Sequence, residues 1–184
     1  WSSDVCSSDL EPKANHIRNR LEEFKSRGVD GLICVQHTNQ KDPLLIPRLV
    51  DTYFHQSAIF LEQPADTELN YVGCDWVDGA RQAVDYLVNQ GRSRIALTVP
   101  DLDWYAGPRQ KQGYIEGLQG NSLPVQEDLI WVGNLKLTDN PQHLSQDMAM
   151  RIVEEFIIPK KVDAIVAAHD HWAGQLILCL EEKG

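Results

Sequence analysis

The chain has 184 residues, 42% of them hydrophobic and 24% charged, which is enough for one large domain or two small lobes with an ordinary core. Its formal net charge of −10 repels polyanions, so these residues are excluded as a nucleic-acid surface, which needs clustered Lys and Arg. No apolar run approaches the roughly 20 residues a membrane helix needs.

Residues 1–10 (WSSDVCSSDL) parse as two similar pentads without helical or strand periodicity. They resemble translated adapter sequence and are expected to be a non-native tail that packs against nothing. From Glu11 the pattern becomes regular. Ile17, Leu21 and Phe24 fall at helical spacing, and Gly28 follows as a stop signal. Val29–Val35 (VDGLICV) reads as a buried strand, Pro43–Phe54 as a short helix, Ala58–Leu61 as a strand and Tyr71–Cys74 as another. Asp78–Gln90 is the clearest helix: Ala80, Ala83, Val84, Leu87 and Val88 form one apolar stripe, and Gly91 ends it where only glycine enters the left-handed region cheaply. Arg94–Val99 is then a strand. Pro108 suits a first helical turn, because its missing N–H costs nothing there, and Tyr114, Ile115 and Leu118 continue that helix. Leu129–Val132 is a strand, and Leu144, Met148, Ile152, Val153 and Phe156 stripe the next helix. Asp163–Ala168 is a strand, and Trp172–Glu182 a final helix.

Strands alternate with helices throughout, which predicts an α/β fold of parallel sheets with helices on both faces. Two lobes are expected, joined near Gly91–Arg94, with truncation at both ends. Ligands in such sheets bind beyond the carboxyl ends of strands, so the loops after Cys74, Val99, Val132 and Ala168 are the ones to watch.

The four cysteines (Cys6, Cys34, Cys74 and Cys179) show neither CxxC nor zinc spacing, and the last three sit in apolar runs. Reduced thiols and a cytoplasmic setting are expected. GxSxG, HExxH, P-loop and strand-linked GxGxxG motifs are all absent, and no Ser, His and acid triplet is suggested by position, so no enzyme and no cofactor is expected.

His169-Asp170-His171 is the most conspicuous cluster. In an extended segment His169 and His171 point to one side and Asp170 to the other, a poor chelate, so no metal is expected. The better reading is a strand end that aims Asp170 and His169 at a ligand. Arg109 opens a helix, where the dipole disfavours it, and its five fixed donors can grip vicinal hydroxyls or a carboxylate. A surface salt bridge is the alternative. Trp104 and Tyr105 precede it in the loop 100–108, and aromatic faces stack on the C–H face of a sugar ring. Their alternative is a lid packed on its own lobe.

Four blocks carry a family resemblance. VDGLI at Val29–Ile33, YVGCDWVDGARQAVDYLVNQGRSRIALTV at Tyr71–Val99, RQKQGYIEGL at Arg109–Leu118 and DAIVAAHDHWAGQLILCLEEKG at Asp163–Gly184 resemble successive blocks of the LacI/GalR regulators, in order and at the right spacing. The resemblance covers nearly everything after Glu11. It implies a two-lobed periplasmic-binding-protein-like (type 1) domain that clamps a small effector, usually a sugar or its phosphate. Glu11–Gly91 would be a partial N-terminal lobe and Arg92–Gly184 a partial C-terminal lobe. Arg109 matches the family's effector-gripping arginine and Asp170 its hydroxyl-binding acid, while Asp75 and Asp78 sit where the family lines the cleft. His169 stands where Asn is usual, and Leu135 where an aromatic often stacks, a role that Trp104 or Trp172 would then take. The resemblance also implies operator DNA binding only through an N-terminal domain not in this chain, and a homodimer at full length. A periplasmic sugar-binding protein of a transport system shares the fold and is the alternative.

Overall fold

A computed structural model describes residues 10–35, 44–62, 68–102, 106–133 and 143–183. The chain divides into two compact units, Trp1–Cys74 and Asp75–Gly184.

In the first unit the expected helical spacing produces α1 (Leu10–Ser26), which buries Leu21 against α2 (Leu45–Phe54). Gly28, at φ 72°, lets the chain leave α1, and Val29 N–H closes that exit by donating to Phe24 C=O. Val29 is thus consumed by the helix exit, and β1 is only Leu32–Val35. It pairs in parallel with β2 (Ala58–Leu61), Leu32 opposite Ala58, and β2 pairs with the short β3 (Tyr71–Val72). Alternation sends Phe60, Ala58, Leu32 and Cys34 to the face covered by Leu21, Val50 and Phe54. The opposite face carries Ile33, Val35, Leu61 and Val72, exposed by 73%, 69%, 40% and 60%. The tail expected at residues 1–10 lies outside the described residues, apart from Leu10, which opens α1.

The second unit opens with α3 (Trp76–Asn89), followed by β4 (Ile95–Val99), α4 (Ala106–Gly120) and β5 (Ile130–Val132). α5 (Gln146–Ile152) runs on through one wide π-helical turn at Val153–Ile157, and β6 (Ala164–Ala167) and α6 (Asp170–Lys183) follow. The sheet is parallel in the order β5-β4-β6. β4 is central, and all five of its residues are buried, as a strand covered on both faces requires. Ile95, Leu97 and Val99 pack with Val84 of α3 and with Tyr114 and Leu118 of α4. Ala96 faces the other way, toward Ile152, Trp172, Leu176 and Cys179 of α5 and α6.

Two glycines set the close approach of α3 and α4. A Cβ at Gly113 would lie 2.0 Å from Val77 C=O, and one at Gly117 would lie 2.7 Å from Val84 Cβ. Tyr114, between them, is wholly buried, and its hydroxyl donates to Ile95 C=O at 2.8 Å. Burial pushes that phenol up to about 12, so it stays a donor.

Lobes were expected to part at Gly91–Arg92, and the two compact units part between Cys74 and Asp75. The apolar stripe of α3 faces α4 and β4, so that helix belongs to the second unit. A stripe shows that a helix has a buried face but not which sheet it covers.

The amino ends of β4 and β6 are stapled together. Asp163 Oδ1 accepts from Arg94 N–H and Oδ2 from Ser93 N–H, both at 3.0 Å, while Asp163 N–H donates to Arg94 C=O at 3.0 Å. Among the described residues no helix is long and apolar enough to cross a membrane.

Candidate functional site

The carboxyl ends of β4 and β6 are neighbours in one parallel sheet, and α4 and α6 start from them. The two helices cover opposite faces of the sheet, but both begin at its carboxyl edge. Arg109 is half-buried in the first turn of α4. Asp170 is the exposed first residue of α6, where a carboxylate is favoured by the helix dipole, and its Oδ1 accepts from His171 N–H at 2.7 Å. A hydrogen bond joins the two elements. Gln110 Nε2 donates to Ala168 C=O at 3.0 Å, which sets the residue after Arg109 against the turn that leads into Asp170.

His169 is half-buried in that turn, and its carbonyl accepts from Ala173 N–H, closing the first turn of α6. Burial pulls its imidazole below the ordinary value, and the neighbouring Asp170 opposes the shift. His171 is not its partner across an extended strand, as the sequence suggested. The helix already starts at Asp170, and His171 turns to the segment just before α5: its Nδ1 accepts from Leu144 N–H at 3.3 Å, and its ring lies 4.8 Å from that of His143.

Asp75 and Asp78 lie together at the start of α3, and both are used by that helix. Asp75 is its N-cap, with Oδ1 accepting from Asp78 N–H at 2.9 Å. Asp78 pairs with Arg81 and accepts from Gln82, and these bonds hold its carboxyl below the usual carboxylate range. Trp104 and Leu135 lie outside the described residues. Trp172 cannot stack on a ligand, contrary to expectation. Its side chain is 0% exposed, packed in the core with Trp131 5.8 Å away between ring centres. Among the described residues no three His, Cys, Asp or Glu side chains gather as metal ligands would.

Gln110 escaped the sequence reading. A signal was present: Gln110, Gly113, Tyr114 and Gly117 fall at i, i+3, i+4 and i+7, the spacing of one buried helix face, and all four are buried. Ranking Gln as polar hid it.

Comparison with known proteins places the chain. The family model described as "Periplasmic binding proteins and sugar binding domain of LacI family" matches residues 9–184, so the chain belongs to that family. It is 29% identical over 106 residues to the HTH-type transcriptional regulator CelR of Thermobifida fusca, covering 57% of this chain and 28% of that protein. A LacI-family regulatory protein from Chloroflexus aggregans superposes with a TM-score of 0.73 at 24% identity, covering 96% of this chain and 59% of the other. A CelR–cellobiose complex superposes at 0.68 with 22% identity, covering 92% and 49%. The chain thus has the α/β periplasmic-binding-protein-like fold of LacI-family regulators. It spans less than two thirds of the length of these relatives.

Proposed function

We propose that this chain is the effector-binding part of a LacI-family transcription regulator, and that its ligand is a sugar or a related small polar molecule. The observation that carries the reading is the meeting of the α4 and α6 starts at one carboxyl edge, through the Gln110–Ala168 bond. Arg109 brings donors alone, and ionised Asp170 acceptors alone. A polyol needs both, because each of its hydroxyls donates once and also accepts. His169 adds a ring beside Asp170, and Trp104 stands two positions before α4 in the sequence. Asp75 and Asp78 serve the same mouth from the start of α3 in this reading. The sugar class is supported by the CelR–cellobiose complex among the structural relatives. The site binds without covalent chemistry. Operator DNA is contacted by a domain outside this chain, in a cytoplasmic homodimer.

Calorimetry on the intact protein tests this with cellobiose as the probe. Arg109→Ala and Asp170→Ala are each expected to weaken binding at least about tenfold, or ~1.4 kcal/mol, because each leaves ligand hydroxyls without their charged partner. Unchanged affinity in both variants rejects the assignment.

A further inference from the structure

The turn that presents His169 and Asp170 is held from both sides. Ala168 N–H donates to Thr98 C=O at 3.0 Å, so β4 fixes its amide. Ala168 C=O accepts from Gln110 Nε2 at 3.0 Å, so α4 fixes its carbonyl. Both Ala168 and Gln110 are 7% exposed. Ala168 packs in the apolar cluster between the sheet and α4, where water does not serve its carbonyl. The bond spans 58 positions of sequence and ties α4 directly to this turn.

We propose that Gln110 is a positioning residue for ligand recognition: it sets the turn at 168–170, and hence the direction of Asp170, relative to Arg109 on the same helix. The inference rests on the effector-site reading and adds a residue whose own side chain meets the protein rather than the ligand. Asp170 is one residue beyond His169 and starts α6, so a shift at Ala168 C=O is passed through a single peptide unit into the helix start. Recognition of hydroxyls depends on donor–acceptor geometry within a few tenths of an ångström, so a small turn displacement weakens binding without unfolding the unit.

Gln110→Met keeps the side-chain length and removes the donor. Gln110→Glu also removes it and sets a carboxylate against the carbonyl. Cellobiose affinity of the intact protein is expected to fall about fivefold in Gln110→Met and further in Gln110→Glu. The deciding experiment is a double-mutant cycle with Asp170→Ala. If Gln110 acts by aiming Asp170, Gln110→Met weakens binding much less in the Asp170→Ala background than alone. Equal factors in both backgrounds mean general loosening of the fold and overturn the proposal, as does an unchanged affinity in Gln110→Met alone. Hydrogen exchange of the His171 and Ala173 amides in the ligand-free protein is a second readout, expected to quicken in both Gln110 variants. It separates the two ideas. Faster exchange with no cellobiose binding in any form rejects the effector site, while unaltered exchange rejects the role of Gln110 whatever binds.

Discussion

At the scale of single residues, His169 couples the site to stability. Burial lowers its folded value below the ordinary 6.5, so on acidification the unfolded chain takes up the proton first. The neutral imidazole's contribution is complete above about pH 6.5 and is lost as pH falls from there toward the lowered folded value. The urea midpoint is therefore expected to drop between pH 7 and pH 5, and His169→Gln to flatten that drop. The same slope in both proteins would refute the assignment. The residue scale is also where sequence reading was least complete. Arg109 was named because a helix start disfavours a cation, and Asp170 because the family resemblance places a ligand-binding acid there. Gln110 was not, because a neutral amide on a helix reads as solvated until its partner, 58 positions away, is known. Trp172 was misjudged for a related reason: the sequence says that an indole is present near the mouth, but its burial depends on what α5 brings against it.

Among the elements, α3 shows how a capping residue and a site residue can coincide. Its apolar stripe and terminal Gly91, at φ 81°, were legible, and the helix runs Trp76–Asn89 within two residues of expectation. Its start was read late because Trp76 and Val77 continue the preceding strand's apolar character, whereas the cap is the Asp75 carboxylate bonded to Asp78 N–H. Asp75→Ala is expected to cost about 1 kcal/mol of stability, seen as a lower urea midpoint, whereas Asp75→Asn or Asp75→Ser should recover most of it. No loss in the alanine variant would show that the cap is idle. The strand β2 was legible at both ends, since a short apolar run flanked by polar residues has little freedom in where it starts. The wide turn at Val153–Ile157 was not, because the apolar stripe of Leu144 to Phe156 reads the same through an α or a π turn.

For the molecule as a whole, the two units differ in how their sheets are covered. In the second, helices cover both faces; in the first, Ile33, Val35, Leu61 and Val72 remain exposed on one face. Parallel sheets are normally buried on both sides, and an apolar face of this kind binds other apolar surfaces. The chain is expected to bind a hydrophobic dye such as ANS in the native state, and Ile33→Thr with Val35→Thr to lower that signal, since β-branched threonine keeps the strand while removing apolar area. Dye binding that is equal in the double variant would place the patch elsewhere. The alternation of strands and helices revealed this α/β architecture, but not that α3 joins the second unit, because membership depends on which partner a stripe meets.

The clasp of Asp163 on Ser93 and Arg94 has a consequence for a chain made from its amino end. The two sides of the clasp are 70 positions apart, about 4–14 seconds of synthesis at about 5–20 residues per second. Throughout that interval β4, the strand that holds the sheet together, has emerged without β6 on one edge and without α6 over the Ala96 face, and α5 is made only toward its end. Its early company is α3, α4 and then β5, which cover the other face and the other edge. The nascent second unit therefore passes through a one-sided sheet, open to a chaperone or to a neighbouring nascent chain, until Asp163 and then β6 and α6 leave the ribosome tunnel and close it.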